Sequence, residues 1–218
     1  MRAGPAGLLA LLAAAAAGGC IRFGGSGPAP ERRTFDIQPP FPAPEPPEAE
    51  GIEVLWVGPF GVDPALARGE MVWRRGGGEA GAYERYTWAR PPEEAVRAWM
   101  ADALARSGAF AVVAAEPRIL RADYALRGHL VRFEEVDGEK EWSGALEVRI
   151  ALVRSSDGEE ILRRVYACRE RAPARNPAGV VEALRVCLAS ASADLSADVR
   201  QVLDAEREPA RGKPPRPK

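Results

Sequence analysis

YERYTWARPPEEAVRAWMADALARSGAF, residues 83 to 110, starts as a strand, breaks at Pro91-Pro92 and continues as an amphipathic helix. Pro92 suits a first helical turn, where its missing N–H costs nothing, and Glu93 and Glu94 place negative charge at the positive end of the helix dipole. Val96, Trp99, Met100, Ala103 and Leu104 then recur at helical spacing and form one apolar stripe. Glu93 with Arg97 and Asp102 with Arg106 are i,i+4 pairs on the solvent side, and Gly108 supplies the C-cap. Such a stripe needs a sheet or a partner to cover it. Trp99 and Met100 are therefore read as core.

The strand half of the stretch, 83 to 90, pairs with GEMVWRR, 69 to 75, around Gly76-Gly77-Gly78. Those glycines lack the spacing, the Lys-Ser/Thr ending and the following helix of a phosphate cradle, so they read as a hairpin loop. Upstream, IEVLWVGPF from Ile52 reads as a strand buried on both faces. Downstream, a short strand spans 109 to 114. A long hairpin joins 122–136 to 141–154 around Asp137-Gly138, and 159–171 pairs back around Ser155-Ser156-Asp157-Gly158. Strands this long predict bulges or a projecting hairpin. Asn176-Pro177 opens a last helix whose apolar positions run from Val180 to Val202. The expected fold is α/β (α+β): a two-layer sandwich over 51–204, with a mostly antiparallel sheet and two helices packed on one face. Residues 205–218 are polar and Pro-rich and read as a disordered tail.

Residues 1–19 carry Arg2, an apolar run from Ala6 to Ala17 and two glycines before Cys20. The run is too short and alanine-rich for a stable span and reads as an export signal. Ala17-Gly18-Gly19-Cys20 resembles a bacterial lipobox, although the usual Leu of that box is missing; an ordinary secretory signal with an incidental cysteine is the alternative. Ile21 after the cysteine favours the outer membrane over inner-membrane retention. Residues 20–50 are glycine- and proline-rich and read as an extended tether, in which Thr34-Phe35-Asp36-Ile37 alternates and suits a short edge strand.

With 46% hydrophobic and 28% charged residues the chain is globular, and its net charge of −1 argues against a nucleic-acid binder, which needs a concentrated basic face. No cofactor, metal or catalytic site assembles. His129 is the sole histidine and lies in a strand with Arg127 and Val131 on its face, no Ser sits in a nucleophile elbow, and Glu134 and Glu135 read as hairpin surface. Cys168 ends the strand before the last helix and Cys187 lies on that helix's apolar face. They are either a disulfide or two buried thiols, and a disulfide requires Leu162, Arg164, Tyr166 and Cys168 to point inward.

The Met-Val-Trp-Arg strand, YxxYxWARPP leading into a helix that ends in Ser107-Gly108-x-Phe110, Ala122 to Gly128 opening a strand, and Arg164-Val165-Tyr166 before a long helix together resemble the ABC-type transport auxiliary lipoproteins, the PqiC-like group. The resemblance implies an outer-membrane lipoprotein with its domain facing the periplasm. Its partners would be an ABC transporter and an MCE-type substrate-binding subunit that move lipids or other hydrophobic molecules. Some members assemble into rings, so a homo-oligomer is expected too. Only the lipidated Cys20 carries over as a residue. The polar sheet face holding Glu147 and Arg149, and the projecting hairpin, are the expected partner surfaces. The rivals are a lipoprotein that itself carries a lipid between helix and sheet, and an outer-membrane assembly factor.

Overall fold

The computed structural model describes residues 31–39, 51–115 and 121–211. The signal, Cys20 and most of the tether lie outside the described residues.

One nine-stranded sheet organises the chain from residue 32 onward. Its axis is β7 (Tyr124–Asp137), which pairs along its whole length with antiparallel β8 (Trp142–Arg154), and β8 in turn pairs with antiparallel β9 (Glu160–Arg171). The other edge of β7 is filled by three short parallel strands in succession: β2 (Val54–Val57), β3 (Gly61–Val62) and β4 (Glu70–Arg75). The expected hairpin adds β5 (Ala80–Trp88) antiparallel to β4, while β1 (Arg33–Phe35) and β6 (Val112–Ala114) extend β5 and β2 in parallel. The long ladders are thus antiparallel and the short ones, apart from β4–β5, parallel.

Helices α1 (Pro92–Arg106) and α2 (Pro177–Arg211) pack side by side on one face. The α1 stripe of Val96, Trp99, Met100 and Leu104 is buried, and Gly108 adopts a φ of 71°, the left-handed conformation that lets the chain leave the helix. Asp102 pairs with Arg106 as expected, but Arg97 donates to the Val57 carbonyl instead of meeting Glu93. Asn176 caps α2 by accepting from the Gly179 N–H at 2.8 Å. On β8, Gly144 lets the α2 backbone come close, since a Cβ there would lie 2.9 Å from the Leu184 nitrogen.

Four expectations are corrected. The β7–β8 hairpin does not project, because β4 flanks its end at Arg75–Asp137 and β9 flanks the other side at Arg171–Ser143. Glu134 and Glu135 are not surface: with β4 and β8 on either side they are 2% and 1% exposed. The stretch from Ile52 is strand over only four residues and alternates, with Leu55 and Val57 buried and Ile52 open to solvent. The polar tail does not begin at 205. α2 continues to Arg211, its end held by Arg154 on Glu206 and by Arg207 on Glu53 at 2.7 Å. The tether is also interrupted: β1 forms as the alternation suggested, and Ile37 beyond it is 2% exposed, its carbonyl accepting from Trp99 Nε1.

Candidate docking face

The sheet face away from the helices is built by the alternate residues of β7, β8 and β9. On β8 these include Ala145, Glu147, Arg149 and Ala151, opposite Leu146, Val148, Ile150 and Leu152 in the core. A bulge between Leu130 and Arg132 resets the alternation of β7. Without it Phe133 would share the open face with Arg127 and His129; with it, Phe133 enters the core and Arg132 turns outward. Across β8, Arg132 lies beside Glu147 at 3.5 Å and His129 beside Arg149. On β9, Leu162 and Tyr166 turn inward and Arg163, Val165, Ala167 and Arg169 outward.

The structure therefore brings Glu147 and Arg149 together on one open face. It adds Arg127, Arg132, Arg163 and Arg169, which were missed because Arg127 is placed by the β7–β8 register, Arg132 by the β7 bulge, and Arg163 and Arg169 by the β8–β9 register. Two shallow hollows flank the Glu147–Arg149 ridge. One, about 370 Å³, has Ala145 and Ala167 between Arg132 and Arg169; the other, about 240 Å³, has Gly128 and Ala151 between Arg127 and Arg163. His129 lies against Gly61, whose Cβ position is 2.5 Å from the ring. Among the described residues no group of three or more His, Cys, Asp or Glu could hold a metal ion.

Cys168 and Cys187 face each other between β9 and α2, with sulfurs at bonding distance and Cα atoms 5.4 Å apart. Arg164, on the same face of β9, reaches past the helix edge toward Asp198 at 3.7 Å and keeps its guanidinium in solvent.

At the β4–β5 end the Glu135 carboxylate accepts the Tyr83 hydroxyl, 3.0 Å from both oxygens, while Arg75 beside it is committed to Asp137 at 2.7 Å. Burial pushes the Glu135 carboxyl up to about 7; the Tyr83 hydrogen bond pulls it down, the Asp137 charge raises it and the Arg75 charge lowers it. The sign follows from linkage. A carboxyl raised above its ordinary 4.5 contributes stability at low pH that is lost as pH rises through about 7. Glu135→Gln keeps a partner for Tyr83 without the charge. Its melting temperature is expected to match the wild type at pH 5 and to exceed it by a few degrees at pH 8. A difference that stays constant across that range would show that Glu135 does not titrate there.

The model of the family described as the ABC-type transport auxiliary lipoprotein component matches residues 35–196. The chain belongs to this family. It is a family of transport auxiliary lipoproteins, not of enzymes. The crystal structure of protein XCC0632 from Xanthomonas campestris is similar, with 20% identity and a TM-score of 0.70, covering 81% of this chain and 99% of that one. A second solved structure, of an uncharacterized protein, is 16% identical with a TM-score of 0.62 over 78% of this chain and 99% of the other. At these identities the likeness establishes the fold alone. No curated protein matches the sequence. Among the described residues no helix is long and apolar enough to cross a membrane.

Proposed function

We propose that this auxiliary lipoprotein is anchored by lipid on Cys20 in the outer membrane, faces the periplasm, and docks or bridges an envelope transport system made of ABC components and an MCE-type subunit that moves lipids or other hydrophobic molecules. It performs no catalysis and works as a homo-oligomer. The family match over the folded region carries this reading. Packing favours a bridge over a carrier, because Met100, Leu104, Leu126, Leu130 and Phe133 are fully buried between helices and sheet, where a carrier would keep its lipid. In this location Cys168 and Cys187 are disulfide-bonded.

The open sheet face with Glu147 and Arg149 is the contact surface. Affinity capture on the full lipidated chain is expected to recover the ABC or MCE-type components, and native mass spectrometry to find an oligomer without bound lipid. One bound lipid per chain, with no such component captured, would replace the bridge by a carrier. Co-purification with a β-barrel alone would replace it by an assembly factor.

A further inference from the structure

The open sheet face carries more positive charge than it neutralises, on a protein whose net charge is −1. Arg132 spends its charge on Glu147 and Arg163 on Glu160. Arg127, Arg149 and Arg169 are exposed and, among the described residues, have no carboxylate within ion-pair distance. They are not scattered. Arg127 stands beside Ala151, two residues along β8 from Arg149, and Arg169 stands beside Ala145 in the opposite direction. With strands about 4.8 Å apart and about 3.4 Å of rise per residue, the three Cα atoms form a diagonal with steps of about 8 and 14 Å. Val165, 57% exposed, is the cross-strand neighbour of Arg149 at the middle of that diagonal.

Resting on the docking reading above, we propose that this face binds an acidic segment of a protein partner. Carboxylates of that segment engage Arg127, Arg149 and Arg169, and its apolar side chains lie on Val165 and the alanine floors of the two hollows. Guanidinium forks suit carboxylates in a bidentate geometry, and three hydrogen-bonded strands hold their backbones in place before the partner arrives. A uniformly anionic bilayer fits less well. Glu147 sits between Arg149 and Arg169, and Glu160 lies beside Arg163 at the Arg127 end; both would face lipid phosphates directly, whereas a protein surface can place cations or neutral groups opposite them and so gain register.

The test uses the full lipidated chain in detergent, the MCE-type subunit and ABC components of the same envelope system, and phosphatidylglycerol vesicles. Arg149→Glu is expected to weaken binding about tenfold, and the triple variant R127E/R149E/R169E about a hundredfold or more. Wild-type binding should weaken with salt, and the triple variant's far less. Because all three side chains are exposed, the variants should melt with the wild type. Changing the partner carboxylate that cross-links nearest residue 149 to Arg should restore binding to Arg149→Glu. A triple variant that binds these components as tightly as the wild type overturns the acidic-segment proposal and leaves the docking reading standing. Wild-type protein that binds none of them overturns the docking reading itself. Arginine-dependent flotation with vesicles, together with arginine-independent component binding, assigns the face to lipid and overturns the proposal.

Discussion

Trp88→Ala is expected to lower the stability of the fold by about 3–5 kcal/mol, the cost of emptying a large aromatic site in a packed core. Trp88 is the last residue of β5 and only 8% exposed, in the corner where the strand gives way to the Pro91-Pro92 break and α1. Its ring lies 5.0 Å from that of Phe133 and 6.5 Å from that of Phe35, so it joins the central strand to the edge strand that the tether contributes. Its backbone N–H donates to the Gly69 carbonyl at 2.9 Å, which keeps the corner in place after truncation and leaves a void rather than a collapse. The indole Nε1 has no partner among the described residues. Ring area rather than a hydrogen bond is therefore what this position supplies, and Trp88→Phe should cost well under half as much. In a double-mutant cycle, Trp88→Ala and Phe133→Ala should couple by about 0.5–1.5 kcal/mol. Denaturant titration measures all three. A loss below about 1 kcal/mol for Trp88→Ala, with partner capture abolished, would make Trp88 a contact residue and not a core one.

The same corner shows what sequence patterns can reach. The stripes of α1 and α2 and the turns at Asp137-Gly138 and Asp157-Gly158 are local signals, so both helices and all three hairpins were legible. The parallel placement of β2, β3 and β4 along β7 was not. These strands are two to six residues long, and their partners are far away in sequence, Val72 opposite Glu134 for example. A bulge was expected from the strand lengths, but its position beside Val131 was hidden, because one extra residue leaves composition unchanged while reversing which face every later side chain occupies. Glu134 and Glu135 were misread because the parallel strand β4 that covers them beside β8 was hidden. Their partners, Arg74 and Tyr83, lie 60 and 52 residues earlier. The docking face divides the same way: Glu147 and Arg149 follow from alternation within β8, whereas Arg127 and Arg169 join them only through strand register.

Reduction of the protein should have the second large effect. Cys187 is fully buried on α2 and Cys168 half-buried on β9, 19 residues apart in sequence. A crosslink closing a loop of that length stabilises by about 3 kcal/mol through the entropy it removes from the unfolded chain. The obstacle to forming it was Arg164, which the required register turns toward the helix layer. Its long stem crosses the edge and its guanidinium approaches Asp198, so no charge is buried by the register that brings the sulfurs together. Mass spectrometry of native, never-reduced protein should find the Cys168 and Cys187 peptides linked, and C168A/C187A should unfold at a lower denaturant midpoint by the equivalent of about 3 kcal/mol. Two freely alkylated thiols in the native sample would remove the bond. A linked pair whose double variant is as stable as the wild type would keep the bond but deny it a role in stability. The loss should fall on the β9–α2 packing first, since the bond ties that strand, the edge of the docking face, to the helix behind it. Hydrogen exchange in C168A/C187A is therefore expected to accelerate in β9 more than in β7, which β8 and β4 hold on both sides.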